Sequence, residues 1–184
     1  MKFIKKYYLV IIPAIIVFID QLTKLLIKHN LEYGQQVPIL KHYFMLTYIE
    51  NPGIAFGISV GSMKIMLSLL TMIIAAYLIF FLYKHRNEKI AHNLPFVLIL
   101  AGAIGNLIDR VFYGVLFGYD SFLKGKVIDF IMVDIPDIKL FGTYYDYFPI
   151  FNIADSAVTI GVILMLIFSS TKEEKSNQVI TKND

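Results

Sequence analysis

The sequence has no cysteine among its 184 residues, and only 17% of them are charged. The absence of cysteine excludes disulfide bonds, thiolate metal ligands and a cysteine nucleophile. The net charge is +3, but lysine and arginine are dispersed rather than gathered in a basic stripe, so nucleic acid is not predicted as a partner. Hydrophobic residues make up 57% of the chain, more than the roughly 45–50% typical of soluble domains. The composition therefore predicts an integral membrane protein.

Four apolar runs approach the roughly 20 residues that a helix needs to cross a bilayer. They are Tyr7 to Ile27, Met63 to Tyr83, Leu94 to Tyr113 and Ile150 to Phe168. The first run follows three lysines, as in a secretory signal, but no A-x-A site follows its core, so we expect it to be retained. The predicted fold class is an all-α membrane protein with four transmembrane helices, a small extracytoplasmic β-rich loop within 31–62 and a second extracytoplasmic loop. The helices form one domain, 1–170, and residues 171–184 form a polar cytoplasmic tail.

Orientation follows from the lysine and arginine residues on each side of the spans. The side that contains both ends carries a small excess over the side that contains the two long loops. We therefore expect both termini in the cytoplasm and the two loops outside. The residues on the first side are Lys2, Lys5, Lys6, Lys84, Arg86, Lys89, Lys172, Lys175 and Lys182, and those on the second are Lys28, Lys41, Lys64, Arg110, Lys124, Lys126 and Lys139.

Asp155 stands at the entrance of the fourth apolar run. The run after Ser156 is too short to span alone, so we expect the helix to begin near Phe151 and to carry Asp155 about 6 Å inside it. An ionisable group at such a depth is costly, and it is usually partnered and functional.

Polar residues in the first and third runs are candidate neighbours of that acid. Asp20 and Lys24 are four residues apart on one helical face and can pair, either to orient the helix or to contact substrate. In the third run, Asn106 and Arg110 are expected to serve the intramembrane acid. Asp109 is expected to pair with Arg110 at the interface.

Asp129 stands alone among apolar residues in the second long loop. From the residues alone it is either a solvated charge at a strand edge or a second acid near Asp155. Two carboxylates in one low-dielectric site do not both ionise easily, so such a pair can act as acid and base on a water molecule.

Three other interpretations compete with the acid pair. Gly57 to Gly61 matches the G-x-S-x-G nucleophile elbow, but the strand-turn-helix context that this motif requires is missing. Ser121 with Lys124 or Lys126 would form a serine-lysine peptidase. An ion-coupled carrier would also place acids in the membrane, although no internal repeat is visible.

Five motifs in order resemble those of lipoprotein signal peptidases, the type II signal peptidases of bacteria. The resemblance covers nearly the whole chain, although 112–126 and 132–147 are longer than usual in that family. The matching pieces are Asp20 with Lys24, the segment Asn51-Pro52-Gly53-Ile54-Ala55-Phe56, Gly102 to Arg110, Val127-Ile128-Asp129-Phe130, and Phe151-Asn152-Ile153-Ala154-Asp155-Ser156.

The resemblance implies an intramembrane aspartyl endopeptidase of the bacterial cell membrane. Such an enzyme removes signal peptides from diacylglyceryl-modified prolipoproteins, cleaves before the lipidated cysteine, and needs no cofactor or metal. We expect a monomer in contact with membrane lipid, with its site toward the extracytoplasmic side. By position, Asp129 and Asp155 would be catalytic, Asn51, Gly53, Asn106, Arg110 and Asn152 would bind substrate, and Asp20, Lys24 and Asp109 would support the site.

Overall fold

The computed structural model describes the backbone of residues 2–53, 61–140 and 143–180, and the side chains of residues 7–53, 64–135 and 146–168. Within these ranges the chain forms α-helices joined by a small antiparallel sheet. The elements are α1 (Lys2–Asn30), β1 (Gln36–Leu40), β2 (Phe44–Asn51), α2 (Gly61–Lys84), α3 (Ile90–Ile108), a π-helical segment (Asp109–Tyr113), α4 (Gly114–Leu116), β3 (Val127–Leu140), β4 (Thr143–Tyr147) and α5 (Ile153–Ile180).

Three helical stretches of the described residues are long and apolar enough to cross a membrane. They are Tyr7–Asn30, Lys64–Lys84 and Ile90–Leu116. In α5 the described apolar stretch, Ile153–Phe168, is shorter. The helix continues to Ile180 and so includes residues of the predicted polar tail. The observed architecture is therefore three to four apolar helices with a sheet at one end. That α5 forms a fourth span is still a prediction.

Helix α3 is the centre of the bundle, because it packs against α1, α2 and α5. Its contact with α5 depends on a glycine, since a Cβ placed on Gly102 would lie 2.2 Å from the carbonyl oxygen of Ala154. Small residues permit such close approach of two backbones. At the opposite end of the bundle, Tyr8, Leu78 and Val97 belong to a buried apolar cluster.

The sheet has the order β1-β2-β3-β4, and all its pairs are antiparallel. Strands were predicted in the first loop, and β1 and β2 confirm them. For the second loop, a strand was considered only as one alternative for Asp129, and the structure shows that this loop contributes β3 and β4 to the same sheet. Asp129 therefore lies opposite Ile49 in the inner pair β2–β3, not at a strand edge.

Helix α5 begins at Ile153, two residues later than expected. Phe151 cannot be helical, because its N–H donates to Ile131 O at 3.1 Å and its carbonyl accepts from Ile131 N at 2.8 Å. This bridge ties the entrance of α5 to β3. Asp155 consequently lies in the first helical turn, about 3 Å from the start of the helix and not about 6 Å.

Candidate active site

Asp155 and Asn152 form a reciprocal cap at the start of α5. The Asp155 N–H donates to Asn152 Oδ1 at 2.9 Å, and the Asn152 N–H donates to Asp155 Oδ2 at 3.2 Å. This is the geometry of a capping box, with an aspartate in the place of the usual glutamate. It fixes one carboxylate oxygen of Asp155 at the positive end of the helix dipole.

Asp129 lies on β3 and is only 3% exposed. Its two oxygens accept from two amides: Asn51 Nδ2 donates to Oδ2 at 2.9 Å, and Asn152 Nδ2 donates to Oδ1 at 2.7 Å. The Asn51 amide is itself oriented, because its Oδ1 accepts from the Gly53 N–H at 2.8 Å. Gly53 has a φ of +79°, a backbone conformation that favours glycine.

Asn152 joins the two acids, because its side chain donates to Asp129 and its backbone N–H donates to Asp155. Asn106 completes the link: its Nδ2 donates to Asp155 Oδ1 at 2.8 Å, and its Oδ1 accepts from Asn152 at 3.1 Å and from Lys24 at 3.0 Å. The side-chain carbonyl of each asparagine thus accepts a hydrogen bond, and this turns its NH2 group toward a carboxylate. All four carboxylate oxygens of the pair accept a hydrogen bond.

The pKa of Asp129 is raised to about 6. Burial is the largest cause; the hydrogen bond from Asn51 lowers the pKa, and the negative charge of Asp155 raises it. An acid in an apolar site beside a second acid is expected to hold its proton to higher pH in this way. The pair can therefore carry one proton near pH 6, which is the state that acid and base catalysis requires.

A buried ion triad supports both acids. Lys24 Nζ lies 2.9 Å from Asp20 Oδ2 and 2.9 Å from Asp109 Oδ2, and all three side chains are fully buried. The remaining oxygen of Asp20 accepts from the Ala154 N–H at 2.9 Å, and Asp109 Oδ2 accepts from the Ile128 N–H at 3.1 Å. The triad thus holds the residue that precedes each candidate catalytic aspartate.

The expected pair of Asp109 with Arg110 is not formed, because Asp109 points into the bundle and pairs with Lys24. The π-helical segment that begins at Asp109 widens the helix at this point, and such segments are frequent at functional sites. Arg110 is half-buried and has three acids in electrostatic range, namely Asp109, Asp155 and Asp129. It lies beside Gly53, since its Nη2 is 3.9 Å from where a Cβ on that glycine would be.

Two sets of residues at the site were not predicted as site residues. Gln21 donates to Asp109 Oδ1 at 2.8 Å and accepts from the Tyr113 hydroxyl at 3.0 Å, so it extends the triad. Its place beside Asp20 in an apolar run was a signal for this role. The second set centres on Glu50, which directly precedes Asn51.

Glu50 joins the end of α1 to the entrance of β3. Its oxygens lie 2.9 Å from Lys28 Nζ and 3.0 Å from Lys126 Nζ, and it also accepts from the Tyr48 hydroxyl. Burial raises the pKa of Glu50, but these hydrogen bonds outweigh burial and lower it to about 2. Nothing local in the sequence indicates this cluster, because its members come from α1, β2 and the loop before β3.

The serine-lysine alternative finds no support in the described residues. Lys126 is paired with Glu50, and within the described part of the chain no hydrogen bond joins the Ser121 hydroxyl to Lys124 or Lys126. Residues 57–60 of the G-x-S-x-G motif lie outside the described residues. No cluster of three or more candidate metal ligands occurs among the residues that the structure describes.

Comparison with known proteins identifies the family. A family model described as signal peptidase (SPase) II matches residues 12–171. A lipoprotein signal peptidase of Chlorobium phaeobacteroides (strain BS1) is 40% identical over 156 residues, which cover 84% of this chain and 91% of the relative. One from Staphylococcus aureus (strain MRSA252) is 38% identical over 178 residues, which cover 93% and 97%.

Two solved structures share the fold. Both are described as a bacterial membrane enzyme determined by the in meso method, one at 1.9 Å and one at 2.3 Å resolution. The first has a TM-score of 0.64 at 35% identity and covers 87% of this chain and 90% of its own. The second has a TM-score of 0.68 at 35% identity and covers 92% and 90%. The five motifs, the fold and these matches agree, and the chain belongs to the signal peptidase II family.

Proposed function

We propose that this protein is an intramembrane aspartyl endopeptidase with Asp129 and Asp155 as its catalytic pair. It removes the signal peptide from diacylglyceryl-modified prolipoproteins by cleaving before the lipidated cysteine. The name of the curated relatives, lipoprotein signal peptidase, supports this class of substrate. The observation that carries the assignment of the pair is the bridge through Asn152, which donates to both carboxylates.

In the proposed mechanism one acid is ionised and the other is protonated. Asp155 is partly exposed and takes a proton from a water molecule, whose oxygen attacks the scissile carbonyl carbon. Asp129 has the raised pKa and gives its proton to the carbonyl oxygen, which produces a tetrahedral diol. Asp155 then gives its proton to the peptide nitrogen while Asp129 takes a proton from one diol hydroxyl. The C–N bond breaks, the carboxyl group of the signal peptide forms, and the starting protonation of both acids is restored.

The asparagines act on the acids in this proposal. Asn51, Asn106 and Asn152 were expected to bind substrate, but their amides are directed at Asp129 and Asp155. They would hold each carboxylate in one orientation and stabilise the negative charge that moves between them. Gly53 would act by orienting Asn51. Of the residues expected to bind substrate, Arg110 is therefore the one that we propose as a direct contact.

The proposed topology has four spans, with both termini in the cytoplasm and the sheet on the extracytoplasmic side. The small excess of lysine and arginine at the ends and in the α2–α3 loop supports it. Helix α5 is the proposed fourth span: its apolar stretch, Ile153–Phe168, gives about 24 Å of helix, and the apolar residues 148–151 directly precede its first turn. The protein would act in the bacterial cell membrane, in contact with lipid, as a monomer and without a cofactor or metal.

The direct test is cleavage of a purified, diacylglyceryl-modified preprotein in detergent. The product should begin at the lipidated cysteine, the unlipidated preprotein should stay intact, and a metal chelator should have no effect. Ser121→Ala is the control variant and should retain full activity. Loss of cleavage in Ser121→Ala, or on chelation, would contradict an aspartyl mechanism.

A further inference from the structure

The ion cluster around Glu50 lies on the face of β2 that is turned away from the candidate catalytic pair. Side chains alternate between the two faces of a strand. Asn51 shares one face with Asp129, to which it donates at 2.9 Å. Glu50 lies on the other face with Ile128, its partner on β3. The Glu50 carboxylate therefore does not reach the reacting peptide bond, and an effect on catalysis has to act through its neighbour Asn51.

The pairing that places Asn51 beside Asp129 is short. It comprises three pairs, which are Ile49 with Asp129, Glu50 with Ile128 and Asn51 with Val127. The register changes between Leu46 and Ile49, so these pairs do not continue the outer part of the β2–β3 ladder. A slip of one residue would turn every side chain of the segment to the opposite face. The position of Asn51 thus depends on more than the ladder.

Glu50 restrains this short segment through two cations from different elements. Lys28 Nζ, in the last turn of α1, lies 2.9 Å from one carboxylate oxygen. Lys126 Nζ, one residue before β3, lies 3.0 Å from the other. The Glu50 side chain is only 16% exposed, and solvent ions screen such partly buried pairs weakly. A slip of β2 would turn the carboxylate to the other face and break both pairs.

Helix α1 holds both strands of the site through lysines that are one helical turn apart. Lys24 pairs with Asp109, and Asp109 accepts from the Ile128 N–H of β3. Lys28 pairs with Glu50 of β2. Residues four apart lie on one face of a helix, about 6 Å from each other along its axis. A single helix therefore sets the position of β2 against β3.

We propose that Glu50 is a positioning residue for catalysis, which holds Asn51 in the orientation that binds Asp129. The inference rests on the proposed function, because it takes Asp129 as a catalytic acid. Burial raises the pKa of Asp129, and the hydrogen bond from Asn51 is the strongest of the contacts that lower it. Loss of the Glu50 carboxylate should therefore affect the reaction in the same direction as loss of the Asn51 amide.

The first test is a double-mutant cycle between Glu50 and Asn51, measured as kcat on a diacylglyceryl-modified preprotein. Glu50→Gln keeps the size of the side chain but has one acceptor oxygen, so it cannot hold both lysines. We expect kcat to fall about tenfold, the order of one hydrogen bond to a charged group, with KM kept. In an Asn51→Ala enzyme the same change should lower kcat no further, because the residue through which Glu50 acts is already lost.

The pH profile separates this role from a direct effect of the lost charge. The alkaline limb of kcat/KM reports the pKa of the protonated acid, which is about 6 for Asp129. Loss of the Asn51 donor raises this pKa and moves the limb to higher pH. Loss of the Glu50 charge alone would leave two lysines without a counter-charge, which lowers the pKa and moves the limb to lower pH. Both enzymes keep the other charged groups that face Asp129, which are Asp155, Lys24 and Arg110.

Asp120→Asn is the matched control, since Asp120 forms a similarly exposed pair with Lys64 at 3.0 Å. It should keep the kcat and the pH profile of the wild type. Lys126→Met releases one of the two cations and is the milder variant if Glu50→Gln does not fold. It should also lower kcat in the wild type and not in Asn51→Ala.

An unchanged kcat in Glu50→Gln, multiplicative losses in either cycle, or an alkaline limb that stays in place or moves to lower pH would overturn the inference. Failure of the proposed function has a different signature. If Asp129→Asn keeps full activity, the acid pair is wrong and the inference falls with it. If Asp129→Asn and Asn51→Ala are impaired but Glu50→Gln equals the wild type, the acid pair stands and only the positioning role is wrong.

Discussion

Asn152 and Asp155 hold each other through two reciprocal hydrogen bonds, so that the cap of a helix and a candidate catalytic acid are one structure. The same asparagine reaches across to Asp129 with its side chain. Helix formation at Ile153 and the geometry of the acid pair therefore depend on one residue. The consequences of this coupling can be measured.

Asn152→Ala removes the cap and the donor to Asp129 together. We expect a loss of about 1 kcal/mol in the free energy of unfolding from the cap, and a fall in kcat on the order of 10²-fold from the missing charge-assisted hydrogen bond. Asn152→Ser keeps a good cap but cannot reproduce the amide donor, so it should restore stability and not activity. Thermal unfolding and initial rates in detergent measure the two effects, and wild-type activity in Asn152→Ser would contradict this role.

The buried triad should respond strongly to loss of its cation. Lys24→Met leaves Asp20 and Asp109 buried without a counter-charge, which is expected to cost about 3–5 kcal/mol. Lys28→Met is the matched control on the same helix, and it should cost less, because Lys28 is partly exposed and Glu50 keeps Lys126 as a second cation. The free energies of unfolding of both variants, measured in chemical denaturant, test this difference. Equal stability of the two variants would show that the triad does not support the site.

Asp129 should make folding stability depend on pH. Its pKa is raised in the folded state from 3.8 to about 6, so stability is highest below pH 4 and is lost as pH rises toward 6. The loss is about 3 kcal/mol. Since other groups also titrate, the measured quantity is the difference between the wild type and Asp129→Asn. This difference should change over that window, and a difference that stays constant from pH 4 to pH 6 would contradict the raised pKa.

Gly53→Ala tests whether the turn at Gly53 orients Asn51. A side chain at φ +79° costs about 1–2 kcal/mol, and the new Cβ would lie 2.7 Å from Leu67 Cδ1. Gly34 has the same φ of +79° with no atom within 4 Å of its Cβ position, so Gly34→Ala is a matched control for backbone strain. We expect both variants to be destabilised and only Gly53→Ala to lose activity, by at least about tenfold. Equal kcat values for the two variants would exclude a role for Gly53 in the site.

The apolar helices and the candidate acids could be predicted from the sequence, because hydrophobic runs and isolated charges within them are local signals. The pairing of β3 with β2 was missed, since the strand segments are about 80 residues apart in the chain. The start of α5 was placed too early because its physical cause, the bridge from Phe151 to Ile131, is a long-range contact. Asp109 was assigned to its neighbour Arg110 for the same reason, as its true partner Lys24 comes from another helix.

The central claim is that Asp129 and Asp155 act as one catalytic unit, and a double-mutant cycle measures this most directly. kcat/KM for a diacylglyceryl-modified preprotein is compared among the wild type, Asp129→Asn, Asp155→Asn and the double variant, with Asp134→Asn as control. We predict that each single change lowers kcat/KM on the order of 10³-fold or more and that the double variant is no worse than either one, because partners in one step are not additive. Retained activity in either single variant, or multiplicative losses in the double variant, would contradict the account.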